Sequence, residues 1–155
     1  MKLWVDADAA PQPVKDIVTR AAERLGVEAV LVANQRLFVP PGHKFVSSLR
    51  VSGGPDAADD HIAEHAERGD VAITADIPLA ARLVPKGVVV IDPRGEEITA
   101  ETVGERLSVR DFMEGLRGAG VVTGGPSAYG QRERQAFAGA LDRALARAGK
   151  KERGN

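Results

Sequence analysis

Short apolar runs, separated by stretches of helical periodicity, constrain the fold of this chain more than any other feature of its sequence. An apolar run without polar alternation is typical of a strand that is buried on both faces of a parallel sheet. Where such runs alternate with amphipathic helices, the pattern indicates βα units around one sheet. We therefore expect an α/β fold with three layers (α/β/α) and a mainly parallel central sheet. The runs span residues 3–5, 29–33, 71–74 and 88–91, and a further strand is predicted over 45–51.

Helix signals fill most of the chain between these strands. The first helix is predicted to begin near Pro11 and Pro13, because proline is tolerated at a helix start, and to end at Gly26. Residues 92–95 indicate a turn, and the glycine-rich stretch 118–130 indicates a mobile loop. We expect residues 1–149 to form a single α/β domain and residues 150–155 to form a disordered tail. The other helices are predicted over about 55–68, 78–84, 100–107, 109–117 and 131–148.

Length and composition fit one domain and exclude several classes of site. A chain of 155 residues with 43% hydrophobic residues can build one core but is too short for two ordinary domains. The absence of cysteine excludes disulfides, thiolate catalysis and cysteine-based zinc sites. No apolar run approaches the roughly 20 residues of a membrane helix, and no signal-peptide core follows Met1. The sequence therefore predicts a cytoplasmic protein without a membrane partner, and it leaves the oligomeric state open.

Charge is distributed unevenly along the chain, although its total is near neutral. Residues 1–103 carry 11 Lys and Arg against 16 Asp and Glu, a net charge of −5, whereas residues 104–155 carry 10 against 6, a net charge of +4. An acidic pocket beside a basic flank suits a metal-dependent enzyme that acts on a polyanion. The alternative is that the basic residues form the solvated face of a terminal helix.

Aspartates follow the carboxyl ends of two predicted strands. Asp6 and Asp8 come directly after the first apolar run, and Asp76 comes after the third. In an open α/β sheet, ligands bind beyond the carboxyl ends of the strands. Carboxylates gathered there repel one another unless a cation neutralises them, and such oxygen ligands suit Mg²⁺ or Mn²⁺. The sequence therefore predicts a divalent-metal site, with a helix N-cap as the alternative role for Asp76.

The helix predicted after residue 54 brings further carboxylates towards this site. On a helical wheel Asp59 borders the predicted buried stripe, whereas Asp56 and Asp60 lie closer to solvent. A carboxylate beside a core stripe needs a partner, so we expect Asp59 to project into the pocket. Asp56 is expected to support the metal or, alternatively, to cap the helix. His61 and His65 have the spacing of helical zinc ligands but lack an evident third ligand, so a solvated surface pair is expected.

Four further residues are candidates for supporting the site or binding substrate. Thr74 and Asn34 lie at the ends of predicted strands, where they would add a hydroxyl and an amide to the pocket. Local backbone capping is the alternative role for both. Arg94 and Arg110 are candidate phosphate contacts, and an ordinary surface position is the alternative for each.

Several blocks of this sequence resemble the YaiI/YqxD family of uncharacterised bacterial proteins. The resemblance covers nearly the whole chain, up to about Ala148. One position departs from the family pattern, because a cysteine usually stands where this chain has Ala10; this puts a thiol role in doubt and leaves the carboxylates intact. The blocks are VDADAAP at 5–11, LVAN at 31–34, GPDAAD at 54–59, ITADIPLA at 73–80, PRGE at 93–96 and RDFM at 110–113.

The resemblance implies a fold similar to that of PIN-type nucleases. In those proteins an aspartate after the first strand, a helix carboxylate and a later strand-end aspartate hold divalent metal. Asp6, Asp59 and Asp76 match these positions, which implies that they are direct or water-bridged ligands of Mg²⁺ or Mn²⁺, with Asp8 and Asp56 in support. Fold kinship alone does not establish the chemistry.

These features together lead us to expect a metal-dependent phosphodiesterase that acts on nucleic acid, with single-stranded RNA favoured. Asp6, Asp59 and Asp76 would be its catalytic residues, and the ion would lower the pKa of a water and neutralise phosphate charge. One alternative is a phosphatase of the haloacid-dehalogenase type with Asp6 as nucleophile, although that pattern usually has Thr or Val where Ala10 stands. Another is a non-catalytic RNA-binding or assembly module that keeps the acidic pocket for stability.

Overall fold

A six-stranded sheet forms the centre of the molecule. The structure is a computed structural model that describes residues 1–37, 39, 41–54, 56–120 and 128–153. The strands are β1 (Lys2–Asp6), β2 (Glu28–Ala33), β3 (Val46–Arg50), β4 (Val71–Ile73), β5 (Val89–Ile91) and β6 (Glu97–Ile98). The helices are α1 (Gln12–Leu25), α2 (Ala57–His65), α3 (Ile77–Leu83), α4 (Ala100–Gly118) and α5 (Gln131–Arg153), with a short 3₁₀ turn at Val84–Lys86.

The strand order places β1 and β4 side by side in the middle of the sheet. The order is β3-β2-β1-β4-β5-β6, and all neighbours are parallel except β6, which pairs antiparallel with β5. The chain runs from β1 outward to β2 and β3 and then returns to β4 on the other side of β1. The crevice beyond β1 and β4 therefore lies where the strand order reverses, which is the usual ligand position in open α/β sheets.

Helices cover both faces of the sheet, because successive strand residues point to opposite faces. Leu3 and Val5 of β1 belong to a buried cluster with α1 and α5, in which Phe137 is fully buried. Trp4 belongs to the cluster on the opposite face, with Ile62 of α2 and residues of α3. The predicted α/β fold, with three layers and a mainly parallel sheet, is confirmed.

The predicted bounds of α1 are confirmed by its two ends. Pro11 precedes the helix in an extended conformation, and a proline stands in its first turn. Gly26 ends the helix with φ of 67°, a left-handed conformation that favours glycine, and its N–H donates to the carbonyl of Ala22. The strand predicted over 45–51 is also present, as β3.

Three predictions about the helices and the last strand differ from the structure. Residues 100–107 and 109–117, predicted as two helices, form the single helix α4, because Ser108 donates its hydroxyl to the Gly104 carbonyl (3.2 Å) without interrupting the helix. Helix α2 is shorter at both ends than the predicted 55–68. The sequence also did not predict β6, which is only two residues long.

The carboxyl-terminal part of the chain is helical as far as it is described. Of the loop predicted over 118–130, residues 121–127 lie outside the described residues, and α5 begins at Gln131. Helix α5 continues to Arg153, into the segment predicted to be a disordered tail, while residues 154–155 lie outside the described part. The domain boundary at residue 149 stays a prediction. None of the described helices is long and apolar enough to cross a membrane.

Candidate functional site

Asp6 and Thr74 join the carboxyl ends of β1 and β4. Asp6 is only 7% exposed, and its Oδ2 accepts a hydrogen bond from the Thr74 hydroxyl at 3.0 Å. The Thr74 oxygen in turn accepts the backbone N–H of Asp76, also at 3.0 Å. Thr74 therefore links the two strand-end aspartates. Its bond to the Asp76 N–H is the local backbone contact that was its alternative role, and its role in supporting a site stays a prediction.

Asp59 extends from the first turn of α2 to the same crevice. Burial raises its pKa from the ordinary 3.8 to about 7, assisted by a side-chain hydrogen bond with Asp76 and by the charges of Asp76, Asp6 and Asp56. A hydrogen bond between two carboxyl groups requires a proton on one of them. The structure thus brings Asp6, Asp59 and Asp76 together and favours the protonated form of Asp59.

The neighbouring Asp60 shows how specific this placement is. Asp60 is exposed, and its carboxylate forms an ion pair with Arg82 of α3 at 2.8 Å. The helical wheel of the sequence predicts this difference, because only Asp59 borders the buried stripe of α2. Asp60 therefore lies outside the carboxylate cluster.

The surroundings of Asp6 also disfavour its negative charge, because the residue is buried and lies near other carboxylates. Burial raises its pKa, the hydrogen bond from Thr74 opposes that rise, and the charges of Asp76 and Asp8 add to it. Repulsion of this kind is relieved by protonation or by a cation. A bound cation would therefore take the place of protonation in relieving the repulsion between these carboxylates.

Asp76 serves two roles at once. Its Oδ1 accepts the backbone N–H of Leu79 at 2.8 Å. Asp76 therefore caps α3, which is the alternative role predicted for it. It is also the hydrogen-bonding partner of Asp59. The capping bond holds the carboxyl group in place without removing it from the crevice.

Asp8 and Asn34 form the opposite wall of the crevice. Asp8 is exposed, and its Oδ2 accepts the backbone N–H of Asn34 at 2.6 Å. The side-chain Oδ1 of Asn34 is buried, and no donor reaches it from the described residues. A buried acceptor without a donor marks a position for a water or a cation.

Asp56 precedes α2 and makes no side-chain capping bond there, so its alternative role as a cap is not seen.

The carboxylates fit a small ion held largely by water better than an ion enclosed by protein ligands. Among the described residues, no group of three or more His, Asp or Glu side chains is arranged to hold a metal ion. The Asp59–Asp76 pair remains as the carboxylate donors. Mg²⁺ in proteins is commonly bound by one or two carboxylates and keeps several waters. The donor set therefore suits such an ion.

The two predicted phosphate contacts lie on different sides of the site. Arg110 of α4 lines a cavity of about 280 Å³ with Ile77, the residue after Asp76, and pairs with Glu114 at 3.1 Å. Arg94 lies in the turn between β5 and β6 and pairs with Glu133 at 3.6 Å. Only Arg110 is thus next to the carboxylate crevice.

Asp92 is a further aspartate at this edge of the sheet, and the turn predicted for it is confirmed. Its Oδ1 accepts the backbone N–H groups of Arg94 and Glu96, at 2.9 and 3.0 Å. Arg106 of α4 forms an ion pair with its Oδ2 at 3.1 Å. Because this carboxylate already has a cation, it adds no negative charge for a metal to neutralise.

The two histidines of α2 stack rather than standing free in solvent. The ring centroids of His61 and His65 are 4.0 Å apart, and that of Trp4 lies 5.9 Å from His61. Burial lowers the pKa of His61. The expectation of a solvated surface pair therefore holds for the exposed His65 but not for the half-buried His61. The described residues supply no metal-binding group that includes these histidines.

Asp70 is a buried carboxylate whose role the sequence did not predict. It lies at the amino-terminal edge of the sheet and accepts hydrogen bonds from the Trp4 indole (3.0 Å) and from the backbone N–H groups of Lys2 and Glu67 (3.0 and 2.9 Å). Its sequence signal is weak, because it precedes an apolar run instead of following one. With all these donors satisfied, Asp70 is a structural residue on the side opposite the crevice.

Comparison with known proteins identifies similar sequences over nearly the whole chain. Residues 4–147 match the family model described as "Uncharacterized BCR, YaiI/YqxD family". A UPF0178 protein of Myxococcus xanthus is 60% identical over 152 residues, which cover 98% of this chain and 99% of that protein. The UPF0178 protein YaiI of Escherichia coli is 54% identical over 143 residues, covering 92% of each. No solved structure matches the chain.

Proposed function

The chain belongs to the YaiI/YqxD family, and from the geometry of its carboxylate site we propose that it is a divalent-metal-dependent nuclease that cleaves single-stranded RNA. The observation that carries the proposal is the hydrogen-bonded pair Asp59–Asp76 beside the buried Asp6. Carboxyl groups from β1, α2 and the end of β4 repel one another in one crevice, so the arrangement favours a ligand of positive charge.

Mg²⁺ or Mn²⁺ is the cation that suits these donors best. Asp59 and Asp76 would be direct ligands, and the proton on Asp59 would leave when the ion binds. Asp6 would be a direct or water-bridged ligand, with Asp8 and Asp56 in support. When bound, the ion would supply a Lewis acid that lowers the pKa of a water and neutralises the attacked phosphate.

The protein's own groups prepare the crevice for that chemistry. Thr74 holds Asp6 and the backbone of Asp76, so two of the carboxyl groups need not reorganise during the reaction. Asp8 fixes the end of β2 through the Asn34 N–H. The free Oδ1 of Asn34 would accept a hydrogen bond from a water at the site.

A phosphodiester in a flexible strand is the substrate that best suits such a site. A carboxylate cluster without metal would repel phosphate, so substrate binding and metal binding would depend on each other. A single strand reaches a recessed crevice at a sheet edge more easily than a rigid duplex does. Arg110, beside the start of α3, would contact a phosphate next to the one attacked.

The test is cleavage of labelled single-stranded and duplex RNA and DNA by the purified protein, with Mn²⁺, Mg²⁺ or chelator. We expect single-stranded RNA to be cleaved fastest and chelator to abolish cleavage. Asp6→Asn and Asp76→Asn should each lower the rate by about a hundredfold or more, because each removes charge that organises the site.

Asp60→Asn is the matched control, because Asp60 adjoins Asp59 in α2 but pairs with Arg82 outside the crevice. Its rate should equal that of the wild type. Cleavage that persists equally in Asp6→Asn and Asp76→Asn would belong to a contaminating nuclease. Failure to cleave any polymer would favour the RNA-binding or assembly module. An aluminium or beryllium fluoride adduct on Asp6, together with hydrolysis of phosphate monoesters, would favour the phosphatase.

A further inference from the structure

We infer that a single strand of RNA reaches the carboxylate site along a basic groove at the β3 edge of the sheet, where Arg36 and Arg50 contact its phosphates. The inference rests on the proposed function in one respect, since it takes this strand to be the substrate. It assigns the polyanion to the amino-terminal half of the chain, whereas the charge distribution of the sequence points to the carboxyl-terminal third.

Two adjoining cavities form this groove, which we call the β3 groove. The first, of about 600 Å³, is lined by Asn34, Arg50 and loop residues 51–54. The second, of about 740 Å³, is lined by Arg36, Leu37 and again by Arg50. Because Arg50 lines both cavities, they adjoin at its side chain. Because the N–H of Asn34 is bound by Asp8, one end of the groove lies at the carboxylate crevice.

The two arginines of the β3 groove are available to a ligand. Both are exposed, and in the part of the chain that the structure describes neither lies within ion-pair distance of a carboxylate. Arg50 Nε donates to the Asn34 carbonyl at 3.3 Å, which directs its guanidinium along the groove mouth. A guanidinium presents a planar fork of donors that matches phosphate oxygens.

The basic surface continues beyond these two arginines. A third cavity of about 580 Å³ shares Leu37 and Val39 with the second and is lined by two cations of α1, Lys15 and Arg20, and by one carboxylate, Asp16. Neither of these cations has a carboxylate within ion-pair distance among the described residues. A run of unpaired cations leading away from one site suits a strand with several phosphates better than a small anion.

Three of the carboxyl-terminal cations are, by contrast, already paired with carboxylates within the protein. Arg106 pairs with Asp92 and Glu96, and Arg110 pairs with Glu114. On α5, Arg147 pairs with Glu97 at 2.9 Å. A paired arginine must give up its carboxylate before it binds phosphate, so these three are less available than Arg36 and Arg50. The contact of Asn34 with Asp8, which brings the β3 groove to the crevice, is what favours this path.

The test is binding of a fluorescein-labelled single-stranded RNA, followed by anisotropy over a range of salt concentrations. Chelator is present so that the probe is not cleaved and the contacts along the β3 groove are measured apart from the metal-dependent ones at the crevice. Arg36→Gln/Arg50→Gln should weaken binding by about tenfold and lower the slope of log affinity against log salt by about 1.4, since each phosphate contact contributes about 0.7 for single strands. Arg36→Gln alone, which breaks no hydrogen bond to Asn34, should give about half of the change in slope.

Arg68→Gln/Arg143→Gln is the matched control, because both residues are exposed and lie at the amino-terminal edge and on α5 respectively, away from the groove. We expect less than about a twofold change in affinity. An equal loss in both double variants, no loss in Arg36→Gln/Arg50→Gln, or tighter binding of duplex than of single strand would overturn the inference. Cleavage with Mn²⁺ is measured separately, so normal binding without cleavage would contradict only the proposed function.

Discussion

At the scale of single residues, Asp59 couples the acidity of the crevice to what the crevice can bind. Its carboxyl group is half-buried, hydrogen-bonded to Asp76 and surrounded by like charge, which raises its pKa to about 7. A metal ion competes with the proton held there. The helical wheel predicts that Asp59 and not Asp60 enters the pocket, and the placement of both residues agrees with that prediction. Its role as a ligand stays a prediction.

Mn²⁺ affinity should therefore rise with pH through the neutral range. Below pH of about 7 the ion must displace a proton from Asp59, so affinity should fall by up to about tenfold per pH unit. Calorimetric titration at several pH values measures this. Asp59→Asn should bind more weakly and lose most of the pH dependence, whereas Asp60→Asn should behave like the wild type. Affinity independent of pH in the wild type would contradict the assignment.

The same pKa shift makes a prediction for the metal-free protein. A pKa raised from 3.8 to about 7 means that protonated Asp59 stabilises the fold; this contribution is complete below about pH 3.8 and is lost as the pH rises through about 7. In chelator, the free energy of unfolding should fall from about pH 5 to pH 8, and Asp59→Asn should reduce that fall. Urea unfolding measures both, and an equal fall in the two proteins would show that Asp59 is not its source.

At the scale of secondary-structure elements, buried polar contacts at the two ends of the sheet have separate tasks. At the carboxyl-terminal edge, Thr74 joins β1 and β4 and positions the carboxylates. At the amino-terminal edge, Asp70 joins β1 to the turn before β4. One contact should therefore govern the chemistry and the other the stability.

Asp70→Ala should lower the free energy of unfolding by about 3 kcal/mol, because the buried Trp4 indole and two backbone N–H groups lose their acceptor. Urea unfolding measures the loss. Asp111→Ala, at an exposed position of α4, should change stability by less than about 0.5 kcal/mol. The folded fraction of Asp70→Ala should retain metal affinity, and a large loss of affinity would show that the two ends are coupled.

Gly95 supplies a second prediction at this scale, because the turn between β5 and β6 packs directly on α5. Its φ is +91°, and an added Cβ would lie 2.5 Å from the backbone carbon of Ala136. Gly95→Ala should therefore cost about 3 kcal/mol through strain and overpacking. Gly104→Ala, with open space around it in α4, should instead stabilise by about 0.5 kcal/mol or more. Thermal and urea unfolding of both variants compare them.

At the scale of the whole molecule, the sequence predicted the features that depend on neighbouring residues better than the contacts between distant residues. The apolar runs and the proline and glycine signals around α1 depend on neighbouring residues, so the sequence indicates them directly. The Asp70–Trp4 bond and the pairing of Arg106 with Asp92 join distant parts of the chain, which no local pattern encodes. The charge imbalance is likewise a feature of the sequence, whereas the ion pairs of Arg106, Arg110 and Arg147, which the fold forms, could not be predicted from it.

Metal binding should also be visible as a property of the whole molecule. An ion that binds only the folded chain stabilises it by about 2.7 kcal/mol at a hundred times its dissociation constant. We therefore expect Mn²⁺ to raise the unfolding temperature of the wild type at neutral pH and to raise that of Asp76→Asn much less. Differential scanning calorimetry with and without chelator measures the difference. Equal shifts in the two proteins would indicate binding elsewhere.

The hydrogen bond between Thr74 and Asp6 spans 68 positions of the chain, and this separation has a consequence for a protein that is synthesised from its amino terminus. A growing chain contains Asp6 and Asp8 long before it contains Asp76. Until β4 has left the ribosome and inserted beside β1, Asp6 remains a solvated carboxylate, without the burial that raises its pKa in the folded protein. The crevice is therefore complete only late in translation, and an unfinished chain beside the message that encodes it would be unable to cut it.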